Sequence, residues 1–402
     1  MTKKLITAYT VIIFTLFNII AMPVLAAVTE DTQYNSIQVN KIEQKTDLNS
    51  LKAKGAVLLD AATGSVLFES KSHEKLPIAS VTKVMTMLLT LERIDSGKIK
   101  FEDICTVSPY AISIGGSQLY FKEGEQFTVK DMLKAVAIHS ANDAAVVLAE
   151  KISGSEEAFV DLMNKKAREL GMKDTLFRDC NGLNDEGYSS ANDVALMSKD
   201  ILINHPEITE YATKWSDSLR NGKTALYNRN KMIRYYEGAT GLKTGTTGKA
   251  GQCLSFSAKR GDLHLISVVL GEPDVSSRYA ETRKLLDYGF ANFEMKQLNK
   301  KGDFVQKVEI KKGVKTKVNG VFSKDISLVL KKGQGSKLDK TIILNKNLTA
   351  PVKKGQKLGE VVFKANGVEV GKTSIVAEKK VEKASFIRLF FRMVGRWFGL
   401  GK

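Results

Sequence analysis

Apolar strand signals stand at both ends of one long stretch of this chain, with helical periodicity between them. That order constrains the fold more than any other feature. Ala56–Asp60 and Ser65–Glu69 are short apolar runs joined by a turn containing Gly64, a hairpin signal. Gln252–Ala258 and His264–Leu270 are a second pair, separated by the turn Lys259-Arg260-Gly261-Asp262. Helical patterns lie between the two pairs at Val81–Leu91, Val129–Ile138, Ala144–Ile152, Glu156–Leu170 and Val194–Ile203, and Arg278–Phe290 closes the stretch with another. Strands at the two ends with helices between them predict an α+β domain over residues 53–293, its sheet joining the two chain ends.

Composition changes near Met295. Valine-rich runs at Phe304–Ile310, Ile326–Leu330, Thr341–Leu344, Glu360–Phe363 and Val368–Val370 alternate with Lys- and Gly-rich turns, which predicts a small β-sandwich over residues 294–380. The charge follows the same boundary. The chain of 402 residues carries a formal +17, yet residues 295–380 hold 21 lysines against 7 acidic residues, and residues 381–402 add a further +4. Residues 1–294 are therefore at −1. A basic total invites a nucleic-acid reading, but residues 294–380, which read as a stand for the first domain, have no aromatic-basic interleaving, and nucleic acid is not an expected partner.

The two chain ends read as membrane-related. Lys3 and Lys4 precede a mostly apolar Leu5–Ile20 and small residues at Val24-Leu25-Ala26, so residues 1–26 read as an export signal, with an uncleaved anchor as the alternative. Either places the rest of the chain outside the cytoplasm. Residues 27–52 are polar, without periodicity, and read as a linker. In residues 381–402, a helical wheel puts Phe386, Leu389, Phe390, Phe391, Met393, Val394, Trp397 and Phe398 on one arc, with Arg388, Arg392 and Arg396 opposite. A basic amphipathic helix of this kind predicts an anchor lying in the plane of a membrane surface; docking on the protein's own core is the alternative.

Cys105, Cys180 and Cys253 are too few for a disulfide framework, and neither they nor His73, His139, His205 and His264 show metal-site spacing. No metal and no cofactor are expected. Three short motifs carry chemistry instead. Ser80-Val81-Thr82-Lys83 opens an apolar helix, Ser140-Ala141-Asn142 lies between two apolar helices, and Lys243-Thr244-Gly245 precedes the late strands. Each is weak alone: SxxK recurs in the charged loop Ser72–Lys75, and SxN recurs at Ser190–Asn192, which reads as a helix N-cap.

The physics of the set is more specific. Three positions apart on a helix, Ser80 and Lys83 share a face. Backbone N–H groups at the helix start can hold a developing oxyanion. Lys83 stands among Val81, Val84, Met85, Met87 and Leu88, so burial and a nearby cation should disfavour its charge and suit it as a general base. Ser140 offers a hydroxyl for proton relay and Asn142 an amide for a carbonyl. Lys243-Thr244 puts a cation beside a hydroxyl, and Gly245 leaves room for a substrate backbone.

Together the motifs resemble those of the D-alanyl-D-alanine carboxypeptidases, the low-molecular-mass penicillin-binding proteins of the serine-type SxxK family. The resemblance extends over the export signal, the catalytic domain, the β-rich stand and the C-terminal foot. It implies a transpeptidase-like domain with an antiparallel sheet and a helical cluster. It also implies an acyl-enzyme mechanism on a peptidoglycan pentapeptide, with β-lactams as covalent inhibitors, at the outer face of a bacterial cytoplasmic membrane. Ser80 would attack the carbonyl between two D-alanines and Lys83 would take its proton. Ser140 would pass a proton to the leaving D-alanine, with Lys243 tuning it, and Asn142 would hold the substrate amide. The N–H groups of Ser80 and Thr246 would face the oxyanion, and Thr244 with Arg278 would bind the terminal carboxylate. Where relatives often carry Ser-Gly-Asn, this chain has Ser-Ala-Asn, a difference of one methyl.

Two other readings compete. A class A β-lactamase would need a Glu-x-x-x-Asn element between Ser140 and Lys243, and none is evident. A non-catalytic surface protein could grip anionic wall or membrane polymers through its basic stand, but the complete motif set argues against it.

Overall fold

The structure is a computed structural model and describes residues 48–333, 338–365 and 367–397. The export signal expected at residues 1–26, most of the linker and Phe398 lie outside the described residues.

Both predicted strand pairs form, and they are joined into one sheet. β1 (Gly55–Asp60) and β2 (Val66–Ser70) form the first hairpin. Two short hairpins lie apart from the main sheet: β3 (Ile104–Thr106) with β4 (Gln126–Thr128), and β5 (Ser216–Leu219) with β6 (Thr224–Tyr227). β7 (Ala239–Thr247), β8 (Gly251–Arg260) and β9 (Leu263–Glu272) complete the main sheet, whose antiparallel order is β2-β1-β9-β8-β7. β1 pairs with β9 from Gly55↔Leu270 to Asp60↔Leu265, so the two ends of the domain meet at the sheet centre.

Every residue of β1 is buried because the sheet is covered on both faces. Val57, Leu59, Ile266 and Val268 face the helical cluster, whereas Ala56, Leu58, Leu265 and Val269 face the other way with Leu285 and Leu286. The period of two thus feeds two cores, each large side chain contributing roughly 1.5–3 kcal/mol. The helices on the first face are α1 (Lys83–Asp95), α2 (Pro109–Ser113), α3 (Val129–Lys134), α4 (Asn142–Ser153), α5 (Glu156–Glu169), α6 (Ala191–Asn204) and α7 (Ile208–Ala212). On the second face lies α8 (Val275–Asn292), N-capped by Asp274, whose carboxylate accepts from Ser277 N–H.

One predicted helix ends differently. After α3 the chain widens into a π-helical turn over Ala135–His139 and stops at Ser140 in the left-handed region, φ +64°. Such wide turns re-aim the residues after them, here the Ser140–Asn142 motif.

The C-terminal region forms two sheets around one core. β10 (Phe293–Asn299) pairs with β13 (Ile326–Lys331). β11 (Phe304–Glu309), β12 (Lys317–Phe322), β14 (Leu338–Leu344), β15 (Lys357–Ala365) and β16 (Val368–Ala377) form a five-stranded sheet in the order β11-β12-β16-β15-β14. Phe322, Leu328, Leu358, Val361, Phe363 and Ile375 fill the space between. β10 follows α8 directly, and Lys332 N–H donates to Asn292 C=O at 2.8 Å, tying this region to the end of the helix. α9 (Phe386–Trp397) ends the described chain.

Candidate active site

Ser80 lies in the 3-10 turn Ala79–Thr82 immediately before α1. Ala79 holds φ +47°, a left-handed conformation that a non-glycine residue keeps only when its surroundings enforce it. Gly182 supplies part of that enforcement, since a Cβ there would stand 1.9 Å from Ala79 O. On the other side Gly245 of β7 packs against the same turn. Its absent Cβ would lie 2.6 Å from Ile78 O and 3.1 Å from Ser80 N. The Ser80 turn is thus clamped between two glycines, at positions where any side chain would strike backbone.

Lys83 begins α1 and is 0% exposed. Its Nζ lies 2.9 Å from Ser80 Oγ, 2.6 Å from Asn142 Oδ1 and 2.7 Å from Asn181 C=O. The last two can only accept, so they consume two N–H bonds and leave the third direction facing the serine hydroxyl. A neutral amine fits this arrangement with its lone pair toward Ser80. Burial lowers the Lys83 pKa to about 8, while Cys180, Asp179 and Asp143 pull in the opposite direction. The nearby cation is Lys243: burial first, then Lys83, Arg278 and Arg229, push it well below the usual lysine range, and the repulsion between the two ammonium groups disfavours the charge of both.

Asn142 opens α4 and is buried. While Oδ1 holds Lys83, Nδ2 donates to Gly115 C=O at 2.8 Å, and the backbone N–H donates to Ser117 C=O at 2.7 Å. Both ends of the amide are thereby engaged within the protein, and its visible work is to hold Lys83 against the 115–117 loop. Gly116, at φ +77°, is small because a Cβ would meet Asn142 Nδ2 at 2.6 Å. Ser140 is buried two residues before, behind His139, whose C=O accepts from Ser117 Oγ and Arg229 Nε.

β7 brings the third motif. Lys243 is fully enclosed and donates to Thr244 C=O at 2.9 Å. Thr244 is buried. Thr246 Oγ1 donates to Gln252 Oε1 at 2.8 Å, and Arg278 Nη1 donates to the same oxygen at 2.8 Å. Arg278, on α8, is itself buried, with its Nε unpartnered and Tyr279 OH 3.2 Å from Nη2. Ser80, Lys83 and Asn142 are therefore joined by direct bonds, Gly245 by packing, and Thr246 with Arg278 both directly at 3.4 Å and through Gln252.

Several contributors carry no sequence signal. Asn181 acts through its backbone carbonyl, and Cys180 C=O accepts from Thr86 Oγ1 at 2.5 Å. Asp143 holds Leu119 N–H at 2.8 Å. Gln252 was legible only as a strand residue. Cys253 pairs in register with Gly245, but it is buried and its thiol is pushed up to about 11 by burial, as befits an inert core thiol.

The C-terminal helix presents its aromatic arc outward. Phe386 is 82% and Trp397 90% exposed, and Ile387, Phe390, Phe391 and Met393 are exposed as well, while Leu389 is half-buried. Arg392, on the polar side, donates to Gly313 C=O and Val314 C=O at 3.0 and 3.2 Å. Arg392 is therefore seated on the β-rich region, while Arg388 and the rings of Phe386, Phe390, Phe391 and Trp397 are exposed. Among the described residues no helix is long and apolar enough to cross a membrane.

Comparison with known proteins agrees with this geometry. A family model described as D-alanyl-D-alanine carboxypeptidase matches residues 40–274, and one described as penicillin-binding protein 5, C-terminal domain, matches residues 293–383. The chain is 44% identical over 351 residues to D-alanyl-D-alanine carboxypeptidase DacF of Bacillus subtilis (strain 168), covering 86% of this chain and 90% of the relative. The crystal structure of penicillin-binding protein 5 from Haemophilus influenzae superposes with a TM-score of 0.78 at 32% identity, covering 83% of this chain and 98% of that one. Penicillin-binding protein D2 from Listeria monocytogenes in its ampicillin-bound form gives 0.55 at 31% identity, covering 60% and 98%. The chain belongs to the serine-type D-alanyl-D-alanine carboxypeptidases, low-molecular-mass penicillin-binding proteins of peptidoglycan metabolism.

Proposed function

We propose that this carboxypeptidase removes the terminal D-alanine of pentapeptide stems through an ester on Ser80, with Lys83 as its base. The observation that carries the reading is the set of three contacts at Lys83 Nζ, two of them fixed acceptors and the third Ser80 Oγ at 2.9 Å. Neutral Lys83 takes the Ser80 proton as Oγ adds to the carbonyl between the two D-alanines. The oxyanion faces the N–H groups of Ser80 and Thr246, a reading supported by the close packing of Gly245, the residue before Thr246, against Ser80 N. Ser140 relays a proton to the leaving D-alanine. Thr244 and Arg278 receive the terminal carboxylate, whose charge favours the ammonium form of Lys243. Water then hydrolyses the ester. Asn142 serves by fixing Lys83, and its remaining N–H is what it can offer the substrate amide.

A β-lactam acylates the same oxygen and deacylates slowly. The outward aromatic arc of α9 supports placement at the outer face of the cytoplasmic membrane, after export by residues 1–26. Residues 53–293 would then be the catalytic domain, 294–380 the stand and 381–402 the foot, with 27–52 leading in from the signal. D-alanine release from a pentapeptide ending in D-Ala-D-Ala tests the mechanism. Ser80→Ala should lose both release and labelling by a fluorescent penicillin; release equal to wild type refutes it.

A further inference from the structure

The stand carries a groove that the peptidase reaction does not use. Its volume is about 930 Å³, and its floor is apolar: Val321, Phe322, Val376 and Ala377, where β12 and β16 pair at Val321↔Val376. Its rim carries Lys301, Lys315, Lys353, Lys354, Lys379 and Lys380, all exposed. Among the described residues only Lys380 of these six is in an ion pair, with Glu382 at 2.8 Å. The one acid on the rim, Glu378, accepts from Asn319 Nδ2 at 3.0 Å. Five ammonium groups without a carboxylate partner therefore surround an apolar trough.

Position narrows the choice of occupant. Lys315 borders both this groove and the smaller notch that holds Arg392 of α9. The groove consequently opens beside the foot. Phe322 and Ala377 are buried beneath the trough, but its accessible wall is mainly apolar, so a simple polyanion would satisfy the lysines and leave that wall in water, and an uncharged amphiphile would do the reverse. A ligand with a phosphate and an apolar body satisfies both, and the groove is of the size that takes a small amphiphile.

We propose that this groove binds an anionic phospholipid of the leaflet on which α9 lies, with its phosphate among the lysines and its first methylenes over Val321 and Val376. The proposal rests on the membrane-facing reading of α9. It gives the stand a ligand of its own and fixes the height of the catalytic domain above the surface.

The test is calorimetric titration of the full-length protein with dihexanoyl phosphatidylglycerol below its micelle concentration. Dihexanoyl phosphatidylcholine and glycerol 1-phosphate are titrated in parallel. Saturable binding of the phosphatidylglycerol is expected, about tenfold tighter than either comparison ligand. The double variant Lys353→Ser/Lys354→Ser should weaken it about tenfold, with D-alanine release unchanged. Equal binding of phosphatidylcholine, equal binding of glycerol 1-phosphate, or an undiminished double variant each overturns the proposal. Monomeric lipid presents no bilayer, so failed titration with intact vesicle binding removes the groove and keeps α9 as the anchor. Intact titration with no vesicle binding removes the reading of α9 alone.

Discussion

Lys83 Nζ stands 2.9 Å from Ser80 Oγ with Asn142 and Asn181 taking its other two bonding directions. In the proposed mechanism the reactive species is the neutral amine, and burial brings the Lys83 pKa down to about 8. The neutral fraction grows as pH rises through that value, so acylation by penicillin should accelerate from pH 6 to 9 with an apparent pKa near 8. Stopped-flow quenching measures it. Lys83→Arg, whose guanidinium stays protonated, should slow acylation by roughly 10²–10⁴-fold and abolish the rise. A profile flat over this range would remove Lys83 as the base.

The turn holding Ser80 depends on close backbone approach. At Gly245 a Cβ would lie 2.6 Å from Ile78 O, 3.0 Å from Val81 N and 3.1 Å from Ser80 N, all backbone atoms that cannot rotate away. Gly245→Ala should therefore displace β7 from the Ser80 turn, slow penicillin acylation by more than about tenfold, and cost about 1–3 kcal/mol of stability. Gly248→Ala is the control, because nothing stands within 4 Å of its Cβ position. Acylation rates and urea melts of the two variants decide the matter; equal rates would mean that β7 does not set the Ser80 geometry.

How much of this was visible in the sequence depends on the kind of signal. Elements with apolar periodicity were legible: β1, β2, β8, β9 and the helices formed where their patterns lay, within a few residues. β7 was not, because Ala239–Thr247 is built from Gly, Thr and Lys and owes its place to pairing with β8 and contact with the Ser80 turn. β12 was missed for a related reason, since Asn319 and Gly320 interrupt its apolar run. In the site, residues acting through side chains in short motifs were readable, whereas Asn181 acts through a carbonyl that any residue possesses. The two-ended engagement of Asn142 required the fold, which brings Gly115 and Lys83 to opposite ends of one amide.

The end of β9 places Glu272, fully buried and across from Gln252, beside Glu281, whose carboxylate accepts from Lys52 and Ala53 N–H groups. Burial first, then the neighbouring carboxyl, raises the Glu272 pKa to about 8 from an ordinary 4.5. Between those values the folded chain keeps a proton that the unfolded chain has released, so this group lowers stability as pH rises across the window. Glu272→Gln, neutral at every pH, should flatten the decline in melting temperature between pH 5 and 8. The comparison is a series of thermal melts of both proteins; parallel slopes would show that Glu272 ionises normally.

The foot offers the last test. α9 seats Arg392 on Gly313 and Val314 and leaves Phe386, Phe390, Phe391 and Trp397 exposed. Water is a poor solvent for such a row, whereas a membrane interface accepts each ring at a gain of roughly 1.5–3 kcal/mol. Arg388, exposed at the first turn, should add about 1 kcal/mol on an anionic leaflet, and that part should fade with salt. Among the described residues this helix bonds to the rest of the chain at Gly313 and Val314, so removing residues 386–402 should leave D-alanine release from a soluble pentapeptide within about twofold of the intact enzyme. Cosedimentation with vesicles containing phosphatidylglycerol should fall sharply for the truncated protein. Trp397→Ser alone should weaken it about tenfold or more, because the most exposed of the described rings has then lost its apolar surface. Undiminished cosedimentation of the truncated enzyme would locate the membrane contact elsewhere in the chain.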